Sequence, residues 1–152
     1  MSNINYIVGD ATLPIGDGNK IIPHICNDIG GWGRGFVLSL SKRWSQPEEE
    51  YRNLSPNERT LGSVMFIPVT NEISVANMIG QHDIKYSSDG LAPIRYNAVR
   101  KALISVNDVA IKTNATVHMP RIGTGLAGGQ WGEIEKIIKH TMSVDVYVYD
   151  LI

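Results

Sequence analysis

One cysteine, Cys26, stands in 152 residues, which excludes an internal disulfide and leaves no Cys/His spacing of a structural metal site. Neither sign of charge is in excess. Lys and Arg number 14 against 15 Asp and Glu, a formal net charge of −1, so no basic surface argues for general nucleic-acid affinity. No apolar run is long enough to span a bilayer, and the opening Met-Ser-Asn-Ile-Asn lacks the charged and apolar regions of a signal peptide. His24, His82 and Asp83 form no defensible ligand spacing, so no metal is expected. These absences leave a cytoplasmic protein with no membrane partner, and make a nucleic-acid partner poorly supported.

What is present fits one globular domain over residues 1–152, 43% hydrophobic and 19% charged. Asn5–Val8 and Lys20–Cys26 read as strands. Phe36, Leu38, Leu40 and Trp44 mark a helix-like stretch ended by Pro47, with a further helical turn reaching Leu54. Val64–Val69 and Ile73–Ile79 read as a hairpin around Thr70-Asn71, followed by a polar loop, Gly80–Pro93, long enough to suggest a ligand-site role. Val99, Leu103, Val106 and Ala110 form the apolar stripe of a helix over Arg95–Ile111. A strand at Thr116–Met119, a helix at Gln130–Met142 and a strand at Val144–Leu151 close the chain. Strands alternating with helices, plus one hairpin, imply a mixed sheet with helices on both faces.

Eight of the fifteen glycines fall in Gly30–Gly35 and Gly123–Gly129, each cluster between a strand and a helix. Such loops let backbone N–H groups approach an anion closely. The second is no Walker loop, because no Gly-Lys-Ser/Thr closes it, and no acidic ribose ligand follows to make it a dinucleotide fingerprint. If the two strands are neighbours and parallel, both loops flank one crevice, wide enough for a diphosphate with its sugars. Tight turns alone are the other reading of these glycines.

Gly9-Asp10-Ala11-Thr12, His24-Ile-Cys-Asn27, Gly31-Trp-Gly-Arg-Gly35 and Met119-Pro-Arg-Ile-Gly-Thr-Gly-Leu126 resemble, in order, the motifs of the ADP-ribose-binding macrodomain family. Within it the chain is similar to the short branch of the terminal ADP-ribose protein glycohydrolase and the yeast ADP-ribose-1''-phosphate phosphatase. The resemblance implies a three-layer α/β/α sandwich and, as partner, ADP-ribose or a derivative, with ADP-ribosylated protein as a second candidate. It places the adenine amino group at Asp10, beside Ala11. It puts the distal ribose and diphosphate along Asn27, Gly31, Trp32, Gly33 and Gly35, and the second phosphate loop at Ile122, Gly123, Thr124, Gly125 and Leu126. A carboxylate only accepts hydrogen bonds, which suits an amino edge; an Asx turn is the alternative for Asp10. Trp32 either covers the sugar or packs under its loop.

The glycohydrolase branch uses a lysine where this chain has Gln81 and an aspartate where it has Ala127. Neither a lysyl adduct nor that carboxylate base is available. The catalytic candidates are Asn27, Asp28 and His24, with His82 and Asp83 in the long loop as further ionisable groups. His24 at a strand end is equally a core residue, and Asp28 equally a turn residue. Two functions follow from the resemblance: hydrolysis of a substituent at the distal ribose, or non-catalytic reading of ADP-ribose. No cofactor is called for.

Overall fold

The computed structural model describes residues 3–151; residues 1, 2 and 152 of the expected 1–152 domain, including the Met-Ser of the signal-peptide reading, lie outside the described residues. The strands are β1 (Asn3–Val8), β2 (Lys20–Asn27), β3 (Val64–Pro68), β4 (Ile73–Gln81), β5 (Thr116–Pro120) and β6 (Asp145–Asp150). The helices are α1 (Phe36–Arg43), α2 (Gln46–Arg52), α3 (Tyr96–Thr113) and α4 (Trp131–Thr141). The sheet order is β1-β6-β5-β2-β4-β3, parallel throughout except for β3, which pairs antiparallel with β4. This is the mixed sheet that the alternating elements and the hairpin imply.

Alternation along the strands sorts the core into two faces. Ile22, Cys26, Val75 and Ile79 cluster with Val37 and Leu40 of α1 and Tyr51 of α2. Ile21, Met78, Val117, Met119 and Val148 cluster with Leu103 and Val106 of α3 and Ile134 and Ile138 of α4. The result is a three-layer α/β/α sandwich. No helix among the described residues is long and apolar enough to cross a membrane.

Boundaries lie within a residue or two of the expected ones, except that the first helix stops earlier. The first helix ends at Arg43, and Pro47 lies in the first turn of α2. There its missing N–H costs nothing. Gly80 and Gln81 belong to β4, so the long loop starts at His82. Gly80 is packed: a Cβ there would lie 3.0 Å from Val99 and 3.3 Å from Ile25.

β2 pairs with β4 along its whole length but with β5 only at Lys20 and Ile21. Pro23, which has no N–H to donate, follows two residues later. Beyond Ile21 the adjacent parallel strands part, and the loops after them diverge around a crevice at the carboxyl edge of the sheet.

Two buried histidines pin this architecture. His24 (2% exposed) donates Nε2–H to Asn77 Oδ1 at 2.5 Å, and Asn77 donates to the Pro47 carbonyl at 3.0 Å, tying the sheet to α2. His118 (0% exposed) bonds Thr116 Oγ1 at 2.7 Å and the Tyr149 hydroxyl at 2.8 Å. That hydroxyl accepts the Ile15 N–H at 2.9 Å, fastening the segment after β1 onto the sheet.

Burial lowers the pKa of His24 to about 4 against the opposing Asn77 hydrogen bond. Burial and the nearby Lys20 ammonium lower that of His118 to about 4. Both rings are neutral in the folded state but take up protons near 6.5 once unfolded. Their contribution is therefore complete above pH 6.5 and is lost as pH falls toward 4. Urea unfolding across this window should show a loss on the order of 2–3 kcal/mol per histidine. A His118→Gln variant should show a clearly flatter slope; an unchanged slope would exclude this residue as the cause.

Candidate functional site

A cleft of about 320 Å³ opens where β2 and β5 part. Its lining includes His24, Gly35, Phe36 and Val37 from the β2 side and Pro120 through Ala127 from the β5 side, with Gln81, Arg34 and Ile25. No Asp or Glu is among these residues, and two arginines are. Arg34 has no hydrogen-bond or ion-pair partner among the described residues, which leaves its fork of donors free.

The second loop presents bare backbone. The N–H groups of Gly123 through Ala127 have no acceptor among the described residues, whereas those of Gly128 and Gly129 close turns onto the carbonyls of Gly125 and Gly123. The glycines divide accordingly. Gly123 has φ +75° and sits against Ile94, Ile25 and Ile134; a Cβ on Gly129 would strike the Gly123 carbonyl oxygen. Those two are required by the fold. At Gly33 and Gly125 the backbone is not left-handed, and a Cβ would meet nothing within 4 Å. The protein's own packing needs no glycine there, so an absent side chain is what a closely approaching ligand would select.

The first loop is organised from within. Asn27 Oδ1 accepts the N–H groups of Ile29 (3.1 Å) and Gly31 (2.9 Å), and its Nδ2 donates to the Gly31 carbonyl at 2.8 Å. The Tyr51 hydroxyl lies 2.7 Å from the Asn27 carbonyl and 2.8 Å from Oδ1, and accepts the Gly30 N–H at 3.1 Å. The N–H groups of residues 29–31 therefore face inward. The part of this loop whose N–H groups have no acceptor among the described residues narrows to Trp32 through Gly35 and the start of α1, which has no side-chain cap and no acid in its first turn. Trp32 lies beneath the loop at 5% exposure, 5.3 Å from the Tyr51 ring, with its Nε1 donating to Ser41 at 2.8 Å.

The other candidates take definite places. Asp10 Oδ1 accepts both the N–H and hydroxyl of Thr12 at 2.8 Å, building an Asx turn, while Oδ2 has no partner among the described residues. Asp10 and Ala11 follow β1 and are outside the cleft lining. Asp28, His82 and Asp83 come together: Asp28 binds the His82 ring at 2.7 Å and the Asp83 N–H at 2.9 Å. Burial alone would raise the Asp28 pKa, but the Asp83 N–H and His82 outweigh it and hold the carboxyl below its usual range. Asp28 thus clamps the β2 loop to the β4 loop and is not in the cleft lining. His24 does line the cleft, with Nε2 committed to Asn77. Burial pushes the Cys26 thiol pKa up, keeping it unreactive. No group of three or more metal-ligating side chains forms among the described residues.

Arg34, Arg121 and Tyr51 were not singled out by sequence reasoning. Both arginines lie inside the motifs that drew attention, where glycine spacing dominated the reading. Tyr51 carried no signal, because its partner Asn27 is 24 residues away. Tyr51→Phe removes the acceptor of the half-buried Gly30 N–H and a donor to Asn27. It should cost about 1–3 kcal/mol in urea unfolding, and an unchanged midpoint would show that the loop holds its shape without this hydroxyl.

No protein-family model matches the chain. Solved structures match it closely. A protein of Bacteroides thetaiotaomicron is 57% identical at TM-score 0.91, covering 96% of this chain and 98% of that one. A macrodomain protein of Streptomyces coelicolor is 46% identical at TM-score 0.85, covering 97% and 99%. Thermosipho africanus DarTG, solved in complex with ADP-ribose, shares the fold at TM-score 0.72 and 12% identity, over 96% of this chain and 41% of that one. Among curated relatives, mouse chromodomain-helicase-DNA-binding protein 1-like is 32% identical over 97% of this chain, which spans only 18% of that protein's length. The ADP-ribose 1''-phosphate phosphatase of Meyerozyma guilliermondii is 26% identical, over 97% of this chain and 99% of its own. With 46% identity to the Streptomyces macrodomain protein at TM-score 0.85 and near-complete mutual coverage, the chain belongs to the macrodomain family.

Proposed function

We propose that the cleft binds ADP-ribose or a close derivative through its diphosphate. The observation that carries this reading is the pair of glycines, Gly33 and Gly125, that the protein's own packing does not require. They lie in two loops with unpaired N–H groups: Gly125 lines the cleft, and Gly33 immediately precedes the lining residue Arg34, which adds a free cation. A diphosphate is the ligand that two opposed N–H loops and an arginine suit best. The similarity to fungal ADP-ribose 1''-phosphate phosphatases supports the choice of ligand.

Hydrolysis of a substituent at the distal ribose is the activity we assign to this site. Without a carboxylate in the lining, and with His24 neutral and bonded to Asn77, acceleration would come from N–H groups and Arg34 stabilising negative charge. Such a site favours leaving groups that are stable anions, namely a protein carboxylate, acetate or phosphate. Asp28 and Asn27 then act by holding the loop. The reader alternative is favoured by Gln81 and Ala127, neither of which can supply proton transfer from the lining.

Calorimetry with ADP-ribose tests the shared core, and absence of binding would sink both readings. Gly125→Val should leave the melting temperature within a degree or two, because its side chain enters open space, yet weaken ADP-ribose roughly tenfold or more. Equal affinity in this variant would remove Gly125 from the ligand contact. Turnover of ADP-ribose 1''-phosphate and of mono-ADP-ribosylated protein then divides enzyme from reader. In an enzyme Arg34→Ala should lower kcat/KM on the order of a hundredfold, whereas wild-type protein that binds but never turns over either substrate is a reader.

A further inference from the structure

A second cavity, of about 200 Å³, lies at the other end of the sheet from the cleft, where β2 and β4 begin and α3 ends. Ile21, Phe66, Val109 and Ala115 give it an apolar floor. Ile21 and Ser74 are paired across β2 and β4, so both point to the α3 face, and Glu72 shares the parity of Ser74. The rim offers hydrogen-bond acceptors. The Glu72 carboxylate has no hydrogen-bond or ion-pair partner among the described residues. Its backbone is nevertheless held at both ends: the N–H donates to Thr70 Oγ1 at 3.2 Å, and the carbonyl accepts the Lys20 N–H at 2.7 Å. Asn19 spends its Nδ2 on the Thr113 carbonyl at 2.8 Å, which leaves Oδ1 without a partner among the described residues.

The electrostatics favour one sign of ligand. Val109 and Thr113 line the cavity from the end of α3, where the helix carries its negative pole. Lys20, the one cation in the lining, points away. It alternates with Ile21 to the opposite face of the sheet, where its ammonium donates to the Gly18 carbonyl at 2.9 Å and acts on His118. A cavity of this size holds roughly six to eight non-hydrogen atoms. An apolar pit beneath a free carboxylate and a helix carbonyl end suits a short hydrocarbon chain that ends in an ammonium group. We propose that this cavity binds a small primary alkylamine, its tail on Ile21, Phe66, Val109 and Ala115 and its ammonium at Glu72. The assignment stands apart from the ADP-ribose reading, because the cavity shares no lining residue with the cleft.

The probe is n-pentylamine, charged at neutral pH as a lysine side chain is. An NMR titration of the full chain should show saturable shifts centred on Ile21, Phe66, Val109 and Ala115. For so small a ligand the Kd should be on the order of millimolar. Pentanoate and 1-pentanol, of nearly the same shape, should bind roughly tenfold more weakly or not at all. Glu72→Gln should weaken pentylamine roughly fivefold or more and leave 1-pentanol unchanged, with melting curves to confirm folding. No saturable shift at the cavity, pentanoate as tight as pentylamine, or an unaltered Kd in Glu72→Gln would each overturn the assignment. Tighter binding of Nα-acetyllysine methylamide would give the cavity to a lysine of a protein partner and overturn the small amine.

Discussion

The site depends on the place where two adjacent parallel strands stop bonding to each other. β2 and β5 share a ladder only at Lys20 and Ile21, and Pro23 brings a residue with no N–H into the middle of a central strand. Had the ladder continued, the loops after β2 and β5 would leave side by side and pack against each other. Because it stops, they diverge, and the gap between them is a cleft whose walls are loop backbone. β2 remains anchored by its full pairing with β4, so parting from β5 does not cost the strand its place. The crevice is a property of one interrupted ladder in an otherwise closed sandwich.

Around that gap the loops are made rigid by different means. The first is wound about the Asn27 carboxamide and the Tyr51 hydroxyl, two polar groups from distant parts of the chain that satisfy each other and the N–H groups of residues 29–31. The second is held by its own turn hydrogen bonds and by the tight seat of Gly123 among Ile25, Ile94 and Ile134. In both, the N–H groups used for internal structure and those left facing the cleft are separate sets. Such preorganisation matters for an anion, since donors already fixed in place pay no further ordering cost on binding.

The chemistry of the lining is one-sided. Its ionisable members are arginines and a histidine held neutral by burial, while the carboxylate of Asp28 is drawn away to the His82 ring and the Asp83 N–H. Negative charge is therefore welcomed in the cleft and proton transfer is poorly provided for. The two arginines are also not equivalent. Arg34 is free to meet a phosphate, whereas Arg121 has two of its nitrogens bonded to Asp150 and lies over the Tyr6–Trp131 pair.

Sequence by itself determined the order of strands and helices, the hairpin and the two glycine loops. Periodicity and glycine punctuation are local, so Val99 to Ala110 announced α3 and Gly123 to Gly129 announced a loop. The motif order also carried the family. What sequence left open was which polar atoms are spent. Asn27, Trp32, Asp28 and His24 all stood as ligand or catalytic candidates, yet their hydrogen bonds go to Gly31, Ser41, His82 and Asn77. Nor could spacing separate Gly129, forced by a neighbouring carbonyl, from Gly125, which faces open space. Those distinctions belong to tertiary structure, because a hydrogen bond or a steric clash is decided by groups far apart in the chain that only the packed sheet brings together.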